Sequence, residues 1–202
     1  MDHYLTLSQP GEATYTEKRS RFLAFACRVE SEEEVKDIVE RYRREYYDAR
    51  HICYAYALGV EGERYRAVDD GEPSGTAGRP IHGQIVAHGL TETLVVVVRY
   101  FGGVKLGTGG LTQAYKTAAA AALEAATTEE RTLTAVVSVQ VPWAHADTAM
   151  RLARGTGAEM LSPAHTNEDA LLSFRIPQDA VPTLRNALSK LHTLRFVDEQ
   201  SS

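Results

Sequence analysis

The residues able to do chemistry gather in two short stretches. In the first, Asp69, Asp70 and Glu72 place three carboxylates within four positions. A hard cation such as Mg2+ is held by one or two direct ligands of this kind. The same residue types beside Gly and Pro also cap turns and helix starts. His51 and His82 flank this acidic loop, but neither has the i, i+4 partner of a metal-binding helix, so a structural or surface role is expected for both, and the metal question stays open. In the second stretch, Gly102, Gly103, Gly107, Gly109 and Gly110 surround Lys105 and Thr108 and lead into a helix. Backbone N–H groups at such a helix start can cradle an anion. The spacing is neither that of a Walker A loop nor that of a dinucleotide fingerprint, and glycines also serve tight strand-to-helix turns with no ligand. Arg79, Arg99, Lys105 and Lys116 would give this face a positive edge. No catalytic residue is assigned: Ser74 and Thr76 lack an identifiable base, and no Gly-x-Ser-x-Gly elbow occurs.

Regular elements must hold both loops. Residues Arg21–Val29 alternate as a strand, and Ser31 with Glu34 three positions on forms a capping-box pattern that opens a helix. Val35, Ile38, Val39, Tyr42 and Tyr46 make its apolar stripe, read as core and not as a base-stacking platform. His51–Gly59 reads as a second strand, with a turn at Gly62. The loop Ala67–Pro80 runs into a helix near Pro80–His88, and Leu94–Val98 is apolar throughout, as a central strand covered on both faces would be. The glycine-rich loop Phe101–Gly110 then precedes an alanine-rich helix, Leu111–Ala126.

Beyond Thr127 the pattern restarts and repeats. The strand Val137–Pro142 matches Leu172–Pro177 at an offset of 35, with Ser138 and Ser173 in register, and helical stretches Ala144–Arg154 and Asp179–Lys190 follow. Glu159–Pro163 and Leu194–Val197 supply the strand after each helix. Two βαβ halves make a ferredoxin-like βαββαβ unit. The fold class is therefore α+β in two domains, 1–130 and 131–202. On the paired strands Gln140 and Arg175 are the notable polar residues, and Phe174 stands alone, so base stacking on that sheet is not expected.

Composition narrows the function classes. An apolar fraction of 44% and a charged fraction of 24% are those of an ordinary globular chain. A formal net charge of −5 means that any nucleic-acid contact must come from a local basic patch. Cys27 and Cys53 lack the spacing of a metal knuckle or disulfide framework and read as reduced, buried thiols. Met1–Gly11 has no signal-peptide pattern and the apolar runs are too short to span a bilayer, so a cytoplasmic protein without membrane contact is expected.

The stretches DDGEPSGTAGRPI (Asp69–Ile81) and VVVVRYFGGVKLGTGGLTQAY (Val95–Tyr115), with HICYAY (His51–Tyr56) and RSRF (Arg19–Phe22), resemble the signature of the IMPACT/YigZ family over nearly all of residues 15 to 126. The resemblance implies an N-terminal domain of the ribosomal protein S5 domain 2-like fold and a ferredoxin-like C-terminal domain similar to the last domain of elongation factor G. It also implies a translation-linked role. Eukaryotic relatives bind the large activator of an initiation-factor kinase with help from an RWD domain. No RWD segment is read here, so the expected partner is RNA, the ribosome or another translation-associated protein. The leading expectation is a binding protein that needs no cofactor and grips its partner through the glycine-rich loop face. The alternative is an Mg2+-dependent enzyme acting on a phosphorylated small molecule or nucleotide, with Asp69, Asp70 or Glu72 holding the ion and the Gly107–Gly110 turn holding phosphate. The oligomeric state is not legible.

Overall fold

The structure is a computed structural model and describes residues 3–165 and 169–197. The chain is α+β and divides into two compact units, His3–Arg131 and a second beginning at Thr132.

The first unit contains β1 (His3–Gln9), β2 (Gly11–Glu17), β3 (Ser20–Arg28), α1 (Glu32–Glu45), β4 (His51–Leu58), β5 (Arg64–Val68), α2 (Gly78–Ala87), β6 (Thr93–Tyr100) and α3 (Gly107–Ala125). A further strand, β7 (Thr127–Thr132), pairs with β1 in a separate two-stranded sheet. The main sheet has the order β2-β3-β6-β4-β5, every neighbouring pair antiparallel. The all-apolar strand β6 lies at its centre, with Leu94 to Val98 fully buried. Alternate β6 residues serve two cores. Val95 and Val97 join Phe22, Cys53, Ile81, Tyr115 and the α3 alanines, while Leu94, Val96 and Val98 meet Val35 and Val39 of α1. The tyrosine stripe of α1 belongs to that second core, Tyr42 stacking on Phe25 at 4.7 Å. Ser31 caps α1, its hydroxyl accepting from the Glu34 N–H at 3.2 Å.

Several elements differ from the expected bounds, and β1, β2, β5 and β7 have no counterpart in them. The alanine-rich helix starts at Gly107, four residues earlier than its propensity indicates, so glycines form its first turn. Gly107 has φ +73, a left-handed conformation that L side chains rarely adopt. Strand β5 has no counterpart in the sequence reading, because RYRAV at a sheet edge shows no buried face to betray it. Strand β2 does have an inward side, but it carries only Gly11, Ala13, Tyr15 and Glu17, too weak an apolar alternation to mark it. Gly102 is required by contact, since a Cβ there would overlap the Arg19 carbonyl and the Ser20 nitrogen in the β2–β3 turn.

The second unit runs β8 (Thr134–Pro142), α4 (Trp143–Arg154), β9 (Glu159–His165), β10 (Asp169–Pro177), a short 3-10 turn at Gln178–Ala180, α5 (Val181–Leu188) and β11 (Arg195–Val197). The sheet order β11-β8-β10-β9, all antiparallel, is the ferredoxin-like arrangement. The two repeat copies pair with each other as β8 and β10, Ser138 opposite Ser173, with their hydroxyls 2.9 Å apart. Phe174 is buried among Val137, Val139 and Leu184 on the helix-covered face. No helix among the described residues is long and apolar enough to cross a membrane.

Candidate functional site: the groove between the two glycine-rich loops

Antiparallel pairing places His51 at the start of β4 opposite Arg99 near the end of β6. The acidic loop and the second glycine-rich loop leave the sheet at this end, and between them lies a groove of about 550 Å3. Pro73, Phe101, Leu106 and Leu111 supply its apolar lining, and Arg50, His51, Glu72, Arg99, Lys105 and Thr108 its polar one. Phe101 is 48% exposed, a large aromatic left open to solvent.

The three carboxylates expected to form one acidic loop diverge. Asp69 turns inward and accepts from the N–H groups of Gly75 (2.7 Å), Ala77 (3.0 Å) and Gly78 (2.8 Å). It thus caps α2 from a distance, supplying the acceptor that the adjacent Ala77 lacks. Burial alone raises the Asp69 carboxyl, but these N–H groups and the nearby Arg79 outweigh it and hold it below the usual carboxylate range. Asp70, with φ +43, accepts from the Ile52 N–H at 2.8 Å and from Arg43 at 2.8 Å. Its carbonyl lies 2.9 Å from His51 Nδ1. Glu72 is buried and accepts from Arg99 Nη1 at 2.6 Å and from the Tyr115 hydroxyl at 2.8 Å. Among the described residues no three His, Cys, Asp or Glu side chains gather around a common point that would hold a metal ion. His82 lies apart from the groove lining, stacked on Tyr65 at 4.4 Å, and burial lowers its imidazole.

The expected basic edge is also redistributed. Arg99 is no surface cation: its side chain is 6% exposed, pairs with Glu72, and lies over the rings of Phe22 and Phe101 at 5.5 and 5.7 Å. Burial in the sheet requires that pairing, because an isolated guanidinium would lose its hydration without compensation. Lys105 is exposed in the groove wall. Arg79 is exposed on the first turn of α2, and Lys116 is exposed on α3, roughly 13 Å along the axis from Gly107. Neither lines the groove. The cation that sequence reading missed is Arg50. It precedes a strand whose register against Arg99 is invisible in one dimension.

In the core behind Glu72, Tyr115 connects Glu72 to Cys53, whose Sγ is 3.3 Å from the tyrosine hydroxyl. Burial pushes both the Cys53 thiol and the Tyr115 phenol well above their ordinary values. These are inert structural groups and not nucleophiles. Cys53 is buried and Cys27 half-buried, both free, and burial raises Cys27 to about 11.

The first turn of α3 remains. Its cap position is Leu106, which offers no side-chain acceptor, and the turn contains no acidic residue. Leu106 is right-handed and Gly107 left-handed. Such alternation turns successive N–H groups into a concavity suited to an anion. A Cβ at Gly109 would meet nothing within 4 Å, while one at Gly110 would press on the Leu106 Cβ at 3.1 Å.

Comparison with known proteins accords with these motifs. The family described as Impact N-terminal domain matches residues 18–123, more than half of the chain. An IMPACT family member from Thermus thermophilus is 41% identical over 160 residues, covering 79% of this chain and 86% of that protein. YigZ of Escherichia coli, also an IMPACT family member, is 40% identical over 134 residues, covering 65% of this chain and 66% of that protein. For Bacillus subtilis YvyE the match is 41% over 112 residues and spans about half of each chain, 55% here and 52% there. A solved structure described as a hypothetical protein superposes with a TM-score of 0.77 at 30% identity, covering 99% of this chain and 100% of its own. The chain belongs to the IMPACT family.

Proposed function

We propose that this chain is a cytoplasmic, translation-linked regulatory protein that holds RNA or the ribosome against the groove between its two glycine-rich loops. Family membership supports the setting, through the translational role that the motif resemblance implies. The observation that carries the site is the groove's charge. Arg50, Arg99 and Lys105 face one carboxylate, Glu72, so the lining has a net charge of +2 with histidine counted as neutral, in a chain whose net charge is −5. A local excess of this kind binds phosphate at short range while the molecule as a whole repels it at long range. Contacts of this type position a nucleic acid without reading its sequence.

The test is sedimentation with purified ribosomes and with free structured RNA over a salt series. The wild-type chain is compared with an Arg50→Glu, Lys105→Glu variant, both positions being exposed. Co-sedimentation that weakens with salt and is lost in the variant is the expected result, the loss of affinity being about tenfold or more for two reversed phosphate contacts. Association unchanged in the variant would overturn the groove as the binding site, and association insensitive to salt would favour a protein partner. The enzyme alternative draws no support from the acidic loop, because Asp69, Asp70 and Glu72 are each held by other groups of the chain.

A further inference from the structure

We propose that the groove is one end of a longer strip that binds single-stranded RNA, and that the strip continues across the adjoining end of the main sheet to the β2–β3 turn. Phosphates lie along its exposed cations and unpaired bases stack on its exposed rings. This rests on the reading above and names both the kind of RNA and the further residues that hold it. The strip is continuous. Arg50 and Phe101 line the groove, next to the strand ends where His51 pairs with Arg99. From Phe101 the chain is pinned to the β2–β3 turn: the Gly102 N–H donates to the Ser20 hydroxyl at 3.1 Å, and Gly102 abuts the Arg19 carbonyl. Beside that turn Arg21 lies over the Tyr100 ring at 5.4 Å, and the Tyr100 hydroxyl donates at 2.8 Å to Asp48, the neighbour of Tyr47.

Three observations mark this end of the sheet. The first is charge. Segments 17–21, 44–51 and 99–105 meet there with seven cationic and three acidic side chains, a net +4 in a chain of −5. Glu72 neutralises Arg99, and the other six, Lys18, Arg19, Arg21, Arg44, Arg50 and Lys105, are all exposed. Such an excess holds a polyanion by phosphate contacts. The second is the pair of rings within it. Tyr47 is 86% exposed and Phe101 48%. Open aromatic faces among cations stack on unpaired bases, whose faces a duplex hides. An acidic peptide would satisfy the charge and leave these rings idle. The third is the β2–β3 turn, a two-residue hairpin loop closed by the pair Glu17 and Ser20. Lys18 has φ +44 and Arg19 φ +69, both left-handed. A turn of this shape favours Asn-Gly, so the chain accepts backbone strain to keep two cations at the tip. Strain of this kind gathers at functional sites.

Two variants test the strip outside the groove without disturbing the fold. Tyr47→Ala removes a ring that lies almost wholly in solvent. The double variant Lys18→Asn, Arg19→Gly removes two cations while relaxing the turn, so its melting temperature should hold or rise. Binding is measured by fluorescence anisotropy with a labelled uridine RNA of about 12 nucleotides, within the usual site size of single-strand binders, and with a duplex hairpin RNA of equal phosphate number. Polyglutamate of the same charge is the competitor. The single strand is expected to bind about tenfold tighter than the duplex. Tyr47→Ala should weaken the single strand by about tenfold and leave the duplex unchanged. The turn variant should weaken both probes and flatten the salt dependence by about one unit of log–log slope. Polyglutamate should displace neither. Equal affinity for the two RNAs, or a single-strand affinity indifferent to Tyr47→Ala, overturns the proposal. Displacement by polyglutamate also overturns it and assigns the strip to an acidic protein segment. If ribosome co-sedimentation still depends on Arg50 and Lys105 in that event, the strip has failed and the groove reading stands. Wild-type chain that associates with neither RNA nor ribosomes removes both.

Discussion

Asp69, Glu72 and Arg99 show how residues that suggest ligand binding in one dimension take structural roles in three. Their charge was legible in the sequence, but their partners were not. Asp69 caps a helix that begins nine residues later, and Glu72 neutralises an arginine from the far end of β6. Each role has a measurable cost. Removing Asp69 strands three N–H groups, so Asp69→Ala is expected to cost about 2 kcal/mol or more in urea unfolding. Its lowered pKa means that its contribution is present above about pH 4 and fades as pH falls toward the lower, folded-state value. Asp69→Asn should therefore flatten the acid limb of the stability profile. For the buried pair, Glu72→Ala leaves a desolvated guanidinium and should cost about 3–5 kcal/mol, while the double variant Glu72→Gln, Arg99→Met should cost clearly less than the sum of its parts. Additive losses would show that the pair is not coupled. His82 behaves in the opposite sense from a paired histidine. Its pKa is lowered by burial, so the unfolded chain binds the proton first and stability should fall as pH drops below about 6.5. His82→Gln should remove that slope.

At the scale of elements, legibility followed burial. Strand β6, the stripe of α1 and both βαβ copies announced themselves because each has a face the core must cover. The half-buried β2, the exposed β5 and the glycine-opened start of α3 did not: the inward side of β2 is only weakly apolar, β5 has no buried face, and glycine is a poor helix former. Helix α3 illustrates why its composition matters more than its propensity. Ala118, Ala119 and Ala122 are fully buried against the sheet, so Ala118→Leu should destabilise by about 1–3 kcal/mol through overpacking, despite leucine's good helix propensity. A neutral outcome in thermal unfolding would mean that the helix can move away from the strands. In the ferredoxin-like unit, the 35-residue offset seen in the sequence becomes an axis: only at Ser138 and Ser173 do equivalent positions face each other.

At the scale of the molecule, the two compact units have cores that share no residue, one cluster drawing only on residues beyond Thr132. A chain ended after Arg131 is therefore expected to unfold in one cooperative transition by circular dichroism, and to retain the groove, whose lining lies entirely between Arg50 and Leu111. Loss of cooperativity on truncation would show that the first unit depends on the second. What the sequence withheld at this scale is the groove itself. Its walls come from three separated stretches that meet only because β4 and β6 are neighbours in register.

Gly109 has one more consequence. Its backbone is not left-handed and a methyl group would find empty space, so almost any residue there would suit the helix better than glycine, by about 0.5–1 kcal/mol for alanine. A lineage selected for durability alone would have filled the position. Glycine at 109 therefore forgoes stability that the fold offers freely. In a library of substitutions at this codon, cellular abundance should hold steady or rise for the good helix formers, alanine first.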